Sequence, residues 1–231
     1  MPVASASVSV CSPVSGRDAA VLLFAEPMAQ PAVDLRSPQL PADDIILLRN
    51  VTWEDYQRVL AMRGDRSVPR LTYLEGVLQF MSPSRPHESI KSMIGCLVEA
   101  WCLEHEVDIT PYGSWTHESE KSDRAAEPDE CYVLGDDAEP ERCDLAIEVI
   151  WTSGGIDKLE VYRKLDVREV WIWKARRIDV FALRGDAYVP IERSELLPEI
   201  DLEQLLAFVD IKPMTQAVTK YRAALRAARQ G

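Results

Sequence analysis

CDLAIEVI at residues 143–150, TSGG at 152–155, DKLEVYRKL at 157–165 and EVWIW at 169–173 follow one another in a single passage, and their order decides the fold. The first and last are short runs of apolar and β-favouring residues, while the glycine break between them opens onto helical spacing. Strand, helix and further strand make a crossover unit, whose two strands pair in parallel. The expected class is therefore α/β.

Working outward, CYVLG at 131–135 is a short strand that reaches CDLAIEVI through the turn-like GDDAEPER. IDVFAL and AYVPI extend the sheet as antiparallel neighbours around the turns KARR and RGD. Upstream, LTYLEGVLQFM at 71–81 reads as a hairpin folded about Glu75-Gly76, and Thr52 caps a short amphipathic helix carrying Trp53, Tyr56, Val59 and Leu60. After SPSRP, Pro86 suits a first helical turn, and Ile90, Met93, Ile94, Leu97, Val98 and Trp101 form one apolar stripe. DLEQLLAF and MTQAVTKYRAALRAARQ are two further helices, the last with an apolar face at Met214, Val218, Tyr221 and Leu225. Tyr112 to Pro128 has no apolar period, so it is expected as an exposed loop with His117 solvated. Trp171 and Trp173 alternate onto one face and, with Trp151, read as core or dimer-interface residues.

A chain of 231 residues, 47% of them hydrophobic, has enough apolar material for one core. Residues 1–44 are rich in Ala, Ser, Val and Pro and read as a disordered leader, 45–210 as the domain, and 211–231 as a basic amphipathic helix. With no apolar run long enough to span a bilayer, a soluble protein is expected. Its five cysteines lack CxxC pairs and metal-finger spacing, which suits reduced thiols and a cytoplasmic location. All but Cys11 read as small buried apolar residues. A net charge of −12 argues against a protein that coats nucleic acid non-specifically. The acid-free tail after Asp210, with Lys212, Lys220, Arg222, Arg226 and Arg229, leaves room for a local basic surface.

Alternation along CDLAIEVI puts Cys143, Leu145, Ile147 and Val149 on one face, and Asp144, Ala146, Glu148 and Ile150 on the other. Two acids in a buried strand are costly unless paired, protonated or bound to metal. Asp144 and Glu148 stand about 13 Å apart, too far to share one ion, whereas Asp129 enters the neighbouring strand, about 4.8 Å away. Asp129 and Glu148 are thus the expected metal ligands, for Mg²⁺ (or Mn²⁺) completed by water and substrate phosphate. Lys158 begins the following helix and can reach back to orient water. Metal-assisted phosphodiester hydrolysis is the implied chemistry. Against this, Asp129 has an ordinary reading as a turn or strand-cap residue, and Lys158 as an exposed first-turn lysine.

EPDE at 127–130, the passage from Cys143 to Trp173 and LEGVLQFMSPSRPHE at 74–88 together resemble the Uma-two family of restriction endonucleases, within the PD-(D/E)XK nuclease superfamily. The resemblance implies a restriction-endonuclease-like mixed β-sheet flanked by helices, and a Mg-dependent endonuclease with DNA as substrate. Catalytic roles would fall on Asp129, Glu148 and Lys158; the usual lysine position, two after the acid, holds Ile150, so Lys158 takes over from the IDK segment. Glu75 is a supporting candidate through the acid-glycine pair. Asp144 is another, although Cys143 replaces the proline before it, and its role is a second ligand or a structural contact. His87 reads equally as a helix-end contact or a base. Cutting both strands would be simplest for a homodimer. The rival reading is a non-catalytic nuclease-fold interaction or regulatory module, motivated by the acidic balance and the displaced lysine.

Overall fold

The computed structural model describes residues 41–137 and 139–229. The expected leader therefore lies outside the described residues as far as residue 40. At its end a strand absent from the sequence reading begins, β1 (Asp44–Arg49), followed by α1 (Trp53–Arg63), β2 (Arg70–Leu74), β3 (Val77–Ser82) and α2 (Arg85–His105). Then come β4 (Ile109–Pro111), β5 (His117–Ser119), β6 (Arg124–Ala126), β7 (Glu130–Leu134), β8 (Leu145–Val149) and α3 (Lys158–Tyr162). The remainder is β9 (Glu169–Lys174), β10 (Arg177–Arg184), β11 (Ala187–Ile191), α4 (Leu202–Val209) and α5 (Met214–Ala228).

Local chemistry accounts for these boundaries. Thr52 accepts from the Asp55 amide while the Asp55 side chain reaches back to the Thr52 amide, the reciprocal capping box that starts α1. Ser84 caps α2, and its following proline occupies the first turn, where no amide is missed. Asp157 caps α3 through the Leu159 and Glu160 amides, so Lys158 is held as the first helical residue. Glu75 and Gly76 both take positive φ at the β2–β3 turn, the geometry of a tight two-residue hairpin.

Among the described residues, eleven strands form two sheets, in the orders β1-β3-β2-β6-β5 and β11-β10-β9-β8-β7-β4. In the larger one β8 and β9 are parallel, joined by α3 as the crossover pattern requires, and their neighbours are antiparallel. This open mixed sheet flanked by helices is the expected restriction-endonuclease-like architecture. Helices α2, α4 and α5 cover one face of it, packing Ile94, Leu97, Leu205 and Tyr221 against Leu145, Ile147, Val149 and Trp171. Burying each such large aliphatic side chain contributes about 1.5–3 kcal/mol. On the opposite face Ala126 of β6 joins Cys131, Ala146, Val161 and Tyr162 in a second core. Helix α1 covers the smaller sheet through Tyr56, Leu71, Tyr73 and Leu78.

Three expectations are corrected. Cys143 belongs to the second core with Ala146, not to the face of Leu145, because β8 begins only at Leu145 and alternation does not extend into the preceding turn. The stretch from Tyr112 to Pro128 is not an exposed loop: it supplies β5 and β6, and Arg124, Ala125, Ala126 and Glu127 are buried. Its buried polar groups are paired rather than hydrated, since Glu127 accepts from the Leu71 amide and Thr116 and forms a salt bridge with Arg63. On α5, Ala217 replaces Met214 in the buried stripe, and Met214 is exposed. In the basic tail Arg222 and Arg226 both bind Glu104 of α2, while Lys212 and Lys220 are exposed.

Candidate functional site

The β7–β8 register pairs Glu130 with Ile147 and Cys131 with Ala146, so Asp129, one step before β7, stands opposite Glu148. The two acids expected to meet are therefore neighbours, and both are almost fully buried. Their carboxylates do different things. Asp129 Oδ2 accepts the Val149 amide at 2.6 Å, while Oδ1 meets Arg70 and, at 3.0 Å, His87 Nε2. Glu148 Oε1 accepts from the Tyr162 hydroxyl at 2.5 Å and forms a salt bridge with Lys158 Nζ at 3.1 Å. Lys158 thus reaches back to the strand end from the first turn of α3. Burial and the Glu148 charge together push the Tyr162 phenol well above its ordinary range, so it acts as a donor to Glu148.

His87 is completely buried between two acids, with Nδ1 at 3.0 Å from Asp43 Oδ2 and Nε2 on Asp129. Burial pulls its pKa below the usual histidine value, opposed by the hydrogen bond and charge of Asp43. A neutral ring donates from one nitrogen only, so protonation and hydrogen bonding compete along this row. Asp43 is held in turn: its amide donates to Thr152 Oγ1 and its Oδ1 accepts the Ser84 amide. Neither Asp43 nor Gln79 emerged from the sequence. Gln79, on β3, binds the Ile156 amide at 2.7 Å, and a Cβ on Gly155 would lie 2.6 Å from its Oε1, so a side chain there would have to displace the Gln79 amide.

These groups meet at a cleft of about 280 Å³ whose wall includes Asp43, Gln79, Glu148, Thr152, Lys158 and Lys174. A roomier cleft of about 800 Å³, between β10, β11 and α4, contains none of the expected residues. The two remaining supporting candidates lie in other contacts. Glu75 forms a salt bridge with Arg124 at the hairpin turn. Asp144 accepts the Leu134 amide at 2.9 Å and pairs with Arg168, closing the turn between β7 and β8.

The expected Mg²⁺ (or Mn²⁺) cofactor is corrected. Among the described residues, the group disposed to hold a metal ion is His117, Cys131 and Cys143, a nitrogen and sulfur set, not an oxygen set. Hard cations such as Mg²⁺ require oxygen ligands. The carboxylates do not fit the role: Asp129 is occupied on both oxygens by Arg70, His87 and an amide, and Glu148 is neutralised by Lys158. His117, expected in solvent, is buried with its Nε2 at 3.9 Å from Cys131 Sγ. Hydrogen bonds from the Cys143 thiol and from His117 bring the Cys131 thiol down to about 6, against burial. That bond and burial push the Cys143 thiol up.

Residues 53–213 match the family model Uma2, described as "Putative restriction endonuclease". A solved structure, "Crystal structure of a putative nuclease belonging to DUF820 from Anabaena variabilis ATCC 29413", is similar at 14% identity, covering 64% of this chain and 96% of that chain, with a TM-score of 0.44. No curated protein matches. No helix among the described residues is long and apolar enough to cross a membrane.

Proposed function

The chain belongs to the Uma2 family, and from that premise we propose that it is an endonuclease that hydrolyses phosphodiester bonds in DNA at the cleft beside Glu148. One observation carries this reading. A carboxylate and an ammonium group are held 3.1 Å apart on the wall of a cleft, at the end of the strand that opens the crossover unit.

In this reading Glu148 is the general base. Tyr162 and Lys158 both meet its carboxylate at Oε1, which leaves Oε2 for a water molecule. As the water oxygen bonds to phosphorus, Glu148 takes its proton, a contribution of about 10²–10⁴ in rate for a well-placed base. The Lys158 ammonium balances the charge that develops on the non-bridging oxygens. The phosphorus–oxygen ester bond then breaks, leaving a phosphate monoester and an alcohol that takes a proton from solvent. Asp129 is a positioning residue: it fixes the backbone at Val149, directly after Glu148, and ties that point to His87 and Arg70.

Supercoiled plasmid incubated with purified protein, with and without added divalent cations, tests the proposal. Expected is nicking that disappears in both Glu148→Gln and Lys158→Met while the folded spectrum of each variant persists. Natively folded wild-type protein that cuts under none of these conditions, or cutting that survives in both variants, overturns it in favour of the non-catalytic interaction module.

A further inference from the structure

On the same face of β7 and β8 that carries Asp129 and Glu148, a second cluster is built from different chemistry. Cys131 lies two residues along β7 from Asp129, Cys143 sits in the turn just before β8, and His117 comes from β5 in the other sheet. The imidazole nitrogen and the two sulfurs all lie within 4.8 Å of one another, and all three residues are buried. We propose that His117, Cys131 and Cys143 bind a zinc ion that ties the smaller sheet to the larger one.

Three physical points carry this assignment. The donor set is borderline to soft, which suits zinc and disfavours the hard oxygen-seeking cations. In a tetrahedral site with zinc–sulfur bonds of about 2.3 Å and zinc–nitrogen bonds of about 2.0 Å, neighbouring ligand atoms stand about 3.5–3.8 Å apart. Cys131 Sγ and His117 Nε2 are already at 3.9 Å, so binding requires small side-chain adjustments rather than a backbone change. Finally, two thiolates and one divalent cation form a neutral unit, which relieves the cost of placing separate charges in this apolar core of Val133, Ala146, Tyr162 and Val170.

The ion would not be sealed off from solvent. His117 also lines a surface cleft of about 360 Å³ together with Thr116, Glu118, Ser119, Arg142 and Lys164, which provides a way in and room for a water as fourth ligand. Trp115 packs on the His117 ring at a centroid distance of 4.3 Å and limits its rotation. The role is structural: the ion would cross-link three segments that only β-pairing and packing otherwise join.

Metal content read on the full chain tests the site without reference to nuclease activity. Protein purified under reducing conditions is expected to contain about one zinc per chain. After chelation and reconstitution with Co²⁺, the wild type should show sulfur-to-cobalt charge-transfer absorption, and Zn²⁺ should raise its melting temperature. Cys131→Ser and Cys143→Ser should each abolish the absorption, and His117→Gln should weaken Co²⁺ binding. Because a variant in this core could fail to fold, the stripped wild type is the deciding sample. If it keeps its native spectrum, is fully reduced and takes up neither Co²⁺ nor Zn²⁺, the proposal is wrong. A Cys131–Cys143 disulfide in freshly purified reduced-lysate protein, seen as a loss of two hydrogens in intact mass, overturns it equally.

Discussion

Asp129 and Glu148 stand opposite each other across β7 and β8, and about 7 Å further along the same face come Cys131 and Ala146. The first pair is bound up in charge: Arg70, His87, Lys158 and Tyr162 meet the two carboxylates, and Glu148 opens on a cleft. The second position looks into an apolar core, where the polar company of Cys131 is a histidine and another thiol. Tyr162 belongs to both, since its ring packs in that core while its hydroxyl donates to Glu148. One strand pair therefore carries a region whose acids are neutralised by cations from neighbouring elements, and a region whose buried donors are nitrogen and sulfur. The difference teaches that a pair of carboxylates on adjacent strands is not by itself an ion site, because the cations that other elements bring decide how much negative charge is left to hold one.

The largest expected effect separates the two regions by function. Glu148→Gln should lower DNA cleavage by about 10²–10⁴, with zinc content unchanged, as read by plasmid nicking and elemental analysis on the same preparation. Equal loss of metal and activity would mean that the two regions are one site.

Next comes the cost of breaking the charged region. Asp129→Ala leaves the buried Arg70 with Glu88 as its remaining partner and the Val149 amide without an acceptor, and breaking a buried pair costs at most about 3–5 kcal/mol. Urea unfolding measures it; a loss under about 1 kcal/mol would mean that Asp129 is not holding the strand end.

Gly155→Ala probes the loop that shapes the cleft. The added methyl meets Gln79 Oε1 at 2.6 Å, and the overpacking is expected to cost about 1–3 kcal/mol. Gln79→Ala in the same background should recover part of that loss, and no recovery would place the strain elsewhere.

The smallest effect is a pH dependence. His87 takes a proton near pH 6.5 in the unfolded chain and only at lower pH in the folded one. Below pH 6.5 the unfolded state binds more protons, so stability is lost as pH falls through that window and is fully present above it, with a slope of up to about 1.4 kcal/mol per pH unit. His87→Asn should flatten this part of the profile, and an unchanged slope would assign it to other groups.

Periodic and local features were legible in the sequence. The crossover from Cys143 to Trp173, the hairpin about Glu75-Gly76 and the long apolar stripe of α2 are set by spacing and turn chemistry within a few residues. Strand spacing also made Asp129 the neighbour of Glu148 and kept Asp144 too far from it to share an ion, but the face expected for Cys143 and Asp144 was lost where β8 gives way to a turn. β5 and β6 were not legible, since their burial rests on the matched charges of Arg63, Glu127 and Arg124 rather than on an apolar pattern. The role of Asp43 and Gln79 was hidden for a related reason, as each acquires its meaning from a loop about 109 or 77 residues away.

By itself, then, the sequence determined the family, the α/β crossover and the adjacency of Asp129 to Glu148, because these follow from short-range periodicity and local motifs. Only the tertiary structure decided what those acids touch. It filled Asp129 with Arg70 and His87, joined Glu148 to Lys158, and brought His117 from the other sheet to Cys131 and Cys143. The reason is geometric: side-chain chemistry acts over about 3 Å, and partners at that range are chosen by how sheets pack, not by how far apart residues lie along the chain.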